Sequence, residues 1–86
     1  MRVRLYTTAS CHLCEQAQVL LEGADDAREV QLEVLDIAAS DDLVEHYGRR
    51  IPVLQCMHSG AELDWPFGAD DLSRWLRYLR LYENRA

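Results

Sequence analysis

Two cysteines frame the run Cys11-His12-Leu13-Cys14, and the residues around them decide what such a pair can do. Thr7-Thr8-Ala9-Ser10 carries no apolar pattern, whereas Leu13, Ala17, Leu20 and Leu21 recur at helical spacing, so a helix is expected to begin at the pair. The first turn of a helix presents backbone N–H groups without intrahelical partners and the positive end of the helix dipole. Both favour a thiolate over a thiol. Cys11 is therefore the expected nucleophile. Cys14, one turn later and deeper, is placed to attack a mixed disulfide formed on Cys11, which makes it the expected resolving thiol.

The same residues admit other readings. A disulfide closing so short a loop would stabilise the chain by only about 2 kcal/mol on the chain-entropy model. Cysteines are also small, readily buried residues that simply pack in cores. A zinc site would recruit Cys11 and Cys14 together with Cys56 and one of His12, His46 or His58, because tetrahedral zinc wants four ligands. The usual second half is another Cys-x-x-Cys or a spaced histidine pair. This chain offers only Cys56-Met57-His58, on a strand whose neighbours point to opposite faces, so no metal site is expected. His12, when protonated, would favour the Cys11 thiolate or meet the substrate, and Glu15 complements the helix start.

Composition limits the rest. With 86 residues, 49% of them apolar, the sequence is expected to be one small domain spanning 1–86. The formal charge of -6 argues against binding a phosphate backbone, so no nucleic-acid partner is expected. All nine basic residues are arginines, which excludes lysine Schiff-base chemistry. The Met1–Tyr6 segment has no apolar run of the signal-peptide kind, and no stretch approaches the roughly 18 residues that span a bilayer. Three cysteines are too few for a secreted disulfide scaffold. The expectation is a cytoplasmic monomer with no membrane partner and no tightly bound cofactor.

Hydrophobic periodicity supplies the elements that must hold the cysteines. Val3 and Leu5 alternate with Arg2, Arg4 and Tyr6 as a first strand, and the helix from the cysteine pair ends near Gly23. The run from Arg28 to Ile37, almost continuously apolar at its end, reads as a second, central strand. Ser40 with Asp41 and Asp42 opens a short helix with a buried stripe of Leu43, Val44 and Tyr47 and a stop at Gly48. Ile51 to Met57 and Ala61 to Trp65 flank His58-Ser59-Gly60 as a hairpin. Asp70-Asp71 opens a last helix with Leu72, Trp75, Leu76, Leu79 and Tyr82 on one face. The order βαβαββα, with a right-handed crossover between the first strands, builds an α/β four-stranded mixed sheet with helices on both faces. Such a layout resembles the thioredoxin fold.

Particular residues make the resemblance specific. Cys11-His12-Leu13-Cys14 after the first strand, Ile51-Pro52-Val53-Leu54 opening the third, and Gly68-Ala69-Asp70-Asp71-Leu72 opening the last helix resemble glutaredoxin landmarks. The similarity is greatest to short bacterial glutaredoxin-like proteins, which share Cys-His-Leu-Cys-Glu, Tyr-Gly ahead of Ile-Pro-Val-Leu, and Trp-Pro-Phe. It implies thiol-disulfide oxidoreductase activity on protein or glutathione mixed disulfides, with glutathione as a co-substrate. It further implies a cis Pro52 packed against the cysteines and an Ile51 backbone that pairs with the substrate. Ala69 and Asp70 would then receive a glutathione carboxylate, with Asp71 as a lesser contact.

Phe67 stands where glutaredoxins carry a glycine, which would narrow a tripeptide groove. Without lysine, Arg49 or Arg50 would have to meet the carboxylate. The rival reading is a non-catalytic thioredoxin-like binding module that docks a partner through Trp65-Pro66-Phe67 or its acidic surface.

Overall fold

The computed structural model describes residues 1–83, so residues 84–86 of the expected domain lie outside the described residues. The elements are β1 (Arg2–Thr7), α1 (His12–Gly23), β2 (Gln31–Asp36), α2 (Asp41–Tyr47), β3 (Val53–Cys56), β4 (Glu62–Asp64) and α3 (Ala69–Tyr78). They form one four-stranded sheet in the order β2-β1-β3-β4, with β1 and β2 parallel and the other pairs antiparallel. This is the mixed sheet of a thioredoxin-like fold.

Alternation along the strands creates two cores. Val3 and Leu5 of β1 and Leu54 of β3 are fully buried against Ala17 and Leu21 of α1 and Leu72 and Leu76 of α3. On the opposite face Tyr6 and Val53 are buried with Ile37 and Tyr47, and Leu43 of α2 packs against them. Thus α1 and α3 share one face while α2 covers the other, as the period-two pattern requires.

Four details differ from expectation. The second strand lies at the sheet edge, because the crossover sets β2 on one side of β1 and the returning β3 takes the other. Leu32 and Val34 accordingly stay 37% and 45% exposed, and Ile37 belongs not to the strand but to the following 3-10 turn. Val44 is exposed rather than part of the α2 stripe, and Tyr82 is exposed beyond the α3 face. Val44 belongs to a seven-residue helix with one face on the sheet, and Tyr82 lies beyond the end of α3 with its ring 5.3 Å from that of Tyr78.

The ends of the elements are set by local chemistry. Ser40 accepts the Leu43 N–H at 3.4 Å and so caps α2. Gly48 closes that helix with its N–H on the Val44 carbonyl at 2.8 Å, and a Cβ there would run into the same carbonyl oxygen. At the hairpin tip Gly60 takes φ 82°, the left-handed conformation that glycine adopts without strain.

Candidate functional site

Register brings three segments to one end of the sheet. Tyr6 pairs with Val53 and Val53 with Asp64, so the chain leaving β1, the chain entering β3 and the chain leaving β4 emerge together. These segments carry Cys11, Pro52 and the Trp65–Ala69 turn.

Cys11 is the N-cap of α1, and its sulfur accepts the Cys14 N–H at 3.2 Å. A donor aimed at a sulfur, at the positive end of a twelve-residue helix, lowers the energy of the thiolate. Cys11 and Cys14 are bonded to each other with Cα atoms 5.2 Å apart. Their surroundings differ: Cys11 is half-buried, whereas Cys14 is 2% exposed. Ser10, just before the pair, sits at φ 61°, a left-handed position that a residue with a side chain adopts at a cost. Local pattern carries no signal for it, since serine is not a turn glycine. His12 projects outward, its side chain 91% exposed and its Nδ1 3.7 Å from Glu15 Oε2.

Ile51-Pro52 is a cis peptide bond, and so is Trp65-Pro66. Pro52 is buried and its carbonyl accepts the Trp65 N–H at 3.2 Å. The Ile51 N–H donates to the Tyr47 carbonyl at 3.1 Å. Only the Ile51 carbonyl is then left to meet an incoming backbone, since no hydrogen bond to it is made among the described residues.

Ala69 and Asp70 are exposed at the start of α3. The helix supplies its own anion there, with the Asp71 carboxylate accepting the Gly68 N–H at 2.9 Å. Phe67 does not narrow a surface groove. Its ring is 4% exposed in the core with Val3 and Leu5, edge-on to Trp65 at 5.0 Å, because the turn after β4 folds it under α3. Of the Trp65-Pro66-Phe67 patch, only Pro66 is exposed and Trp65 is half-buried.

Arg50 is likewise engaged, and this cluster escaped the sequence reading. Its guanidinium reaches Asp64 Oδ1 at 2.9 Å and Glu62 Oε1 at 2.6 Å, and lies 5.1 Å from the centre of the Tyr47 ring. Tyr47 donates its hydroxyl to Glu62 at 2.7 Å and stacks on Tyr6 at 3.9 Å, while Tyr6 donates to Gln55 at 2.6 Å. Burial opposes ionisation of Glu62, but hydrogen bonds from Arg50 and Tyr47 outweigh it and hold the carboxyl below its usual range. Burial first, then the bond to Glu62, raises the Tyr47 hydroxyl well above its usual value. The signal available was the i, i+2 spacing of Glu62 and Asp64, which puts both acids on the α2 face.

Cys56 is fully buried on β3 opposite Val3. Among the described residues no group of three or more His, Cys, Asp or Glu is placed to hold a metal ion, so the zinc arrangement considered from the sequence does not assemble. No helix among the described residues is long and apolar enough to cross a membrane.

Comparison with known proteins agrees with this geometry. Residues 2–77 match the model of the Glutaredoxin-like domain (DUF836). The crystal structure of protein XcR50 from X. campestris is similar at 40% identity and a TM-score of 0.77, covering 87% of this chain and 95% of that one. Protein Ne2328 from Nitrosomonas europaea shares 27% identity, with a TM-score of 0.72 over 86% of this chain and 88% of its own. Thioredoxin 1 from Thermosipho africanus TCF52B shares the fold, with 13% identity and a TM-score of 0.62 over 94% of this chain and 97% of its own. No curated protein matches the chain.

Proposed function

Since the chain belongs to the glutaredoxin-like domain family, matched over residues 2–77, we propose that it is a thiol-disulfide oxidoreductase working through Cys11 and Cys14. The observation that carries this reading is the unequal setting of the two sulfurs. Cys11 is half-buried at a helix start and accepts an N–H bond at 3.2 Å, while Cys14 is 2% exposed one turn below.

In the reduced protein the Cys11 thiolate attacks one sulfur of a substrate disulfide. A Cys11–substrate S–S bond forms, and the other substrate sulfur leaves as a thiolate that takes up a proton. Cys14 then loses its proton to solvent, and its sulfur attacks Cys11. The Cys11–Cys14 bond forms as the second substrate thiol departs, so the dithiol is oxidised by the two electrons that reduce the substrate. Two equivalents of an external thiol return the pair to the dithiol, the first forming a mixed disulfide and the second releasing it as an external disulfide, and glutathione has the chemistry for that role.

The substrate in this reading is a disulfide-containing protein or a glutathione mixed disulfide, met by a monomer in the cytoplasm. The Ile51 carbonyl accepts a hydrogen bond from the substrate backbone next to Pro52. In this reading His12 stands next to the reacting sulfur, and Ala69 and Asp70 at the α3 start meet a more distant part of the substrate. Intact-mass analysis after exposure to a disulfide substrate tests the division of labour. Cys14→Ser should accumulate a covalent adduct, Cys11→Ser should form none and lose turnover, and Cys56→Ser should behave as the parent. Turnover retained in Cys11→Ser would reject the reading.

A further inference from the structure

Among the described residues, nothing covers the outer face of α1 along its length. His12, Glu15, Gln16, Val19, Leu20 and Gly23 fall at helical spacing on one stripe, facing Trp65 at one end and Ala69 and Ser73 of α3 at the other. Between them runs a cleft with two adjoining parts of about 480 Å³ and 340 Å³, which share Val19 and Leu20. The first part begins at His12, the residue next to Cys11. The cleft follows the helix for roughly 16 Å, the length of about five residues of extended chain.

Its chemistry is apolar in the middle and acidic at the ends. Val19 is 67% exposed, and Leu20 and Trp65 are half-buried beside it. Glu15 lies at the cysteine end, Asp25 and Asp26 at the far end, and no arginine is among the lining residues. Arg80 holds Asp26 from outside the cleft, donating to its carbonyl oxygen at 2.9 Å and lying 3.8 Å from its Oδ1, so Asp25 and Glu15 are the acids left to a ligand. Asp70 and Asp71 add negative charge at the α3 start beside Ala69.

We infer that this cleft docks the substrate polypeptide, and that it selects a segment with apolar residues near its disulfide and basic residues beyond them. This deepens the proposed redox function and rests on it for the identity of the reacting sulfur. Charge complementarity decides the occupant. A second copy of a chain carrying -6 would bring like charge to the acidic ends, and an anionic tripeptide such as glutathione would find no arginine or lysine lining the cleft. A cationic, apolar peptide satisfies both parts of the surface and spans its length.

Binding can be read without redox chemistry in the Cys11→Ser/Cys14→Ser protein. Two cysteine-free peptides with the same apolar residues, one carrying lysines and the other glutamates, are titrated while backbone and indole resonances are followed. The lysine peptide should bind about tenfold more tightly at low salt, as expected when several exposed charge pairs each contribute under about 1 kcal/mol. Its shifts should centre on Val19, Leu20 and Trp65. Glu15→Lys/Asp25→Lys should remove or invert the preference, and Val19→Gln should weaken both peptides. Equal affinities, shifts elsewhere, or self-association through these same residues would overturn the inference. Failure of the redox reading is separate, because it appears as an unreactive Cys11 in the unaltered protein whatever the peptides do.

Discussion

Arg50 and Asp64 form a two-pronged ion pair, with Nε 3.1 Å from Oδ2 and Nη2 2.9 Å from Oδ1. Arg50 immediately precedes Ile51-Pro52, and Asp64 ends β4 just before the Trp65 turn, so the pair ties together two of the three segments that build the site. The same Nη2 reaches Glu62, which fixes the guanidinium from both acids of the strand.

Arg50→Ala should therefore destabilise the fold by about 1–2 kcal/mol, since it removes charge-assisted hydrogen bonds from a half-buried group. A double-mutant cycle with Asp64→Ala in urea should give a favourable coupling of about 0.2–1 kcal/mol, because Asp64 is near the surface. Additive effects would mean that the pair contributes nothing beyond its separate side chains.

The Glu62–Tyr47 bond gives the molecule a pH dependence at both ends. The Glu62 carboxyl is lowered from its ordinary 4.5, so its contribution is present above that value and is lost as the pH falls through the folded value. Tyr47 is raised from its ordinary 10.0, so its contribution is present below 10.0 and is lost as the pH rises beyond it. Urea midpoints of the parent should converge on those of Glu62→Gln below pH 4.5 and on those of Tyr47→Phe well above pH 10.0. Parallel curves across both windows would show that neither group is linked to folding.

Much of the fold was legible because the apolar spacing is unambiguous where faces are wholly buried. Val3 and Leu5, Leu72 and Leu76, the Ser40 cap and the His58-Ser59-Gly60 turn all follow from pattern and local chemistry. What escaped was whatever depends on distant chain. The edge position of β2 is fixed by where β3 returns, and the engagement of Arg50 by acids twelve and fourteen residues away. Phe67 illustrates the limit at the site, since a position aligned with a glycine by family pattern has its ring in the core.

Phe67→Ala should accordingly cost about 3–5 kcal/mol, the range for removing a buried aromatic ring. In a domain this small such a loss approaches the whole stability. Thermal unfolding should show a large drop, while Val34→Thr, at an exposed edge position, should shift it little. A Phe67→Ala protein as stable as its parent would contradict the placement of the ring.

Ser10 provides a probe of how Cys11 is positioned. At φ 61° a β-branched side chain is strongly disfavoured, so Ser10→Val should destabilise the fold by about 1–2 kcal/mol and disturb the residue that caps α1. Ser10→Gly should be tolerated. Iodoacetamide labelling of the reduced proteins should be slowed in the valine variant and preserved in the glycine one.

Activation of Cys11 by the helix start is read out by a pH titration of its thiolate. Following thiolate absorbance in reduced Cys14→Ser/Cys56→Ser protein isolates that sulfur. An activated Cys11 should titrate well below the ordinary value of about 8.5 and be alkylated faster at neutral pH than a free cysteine of ordinary pKa. Titration at or above the ordinary value, with slow alkylation, would contradict it.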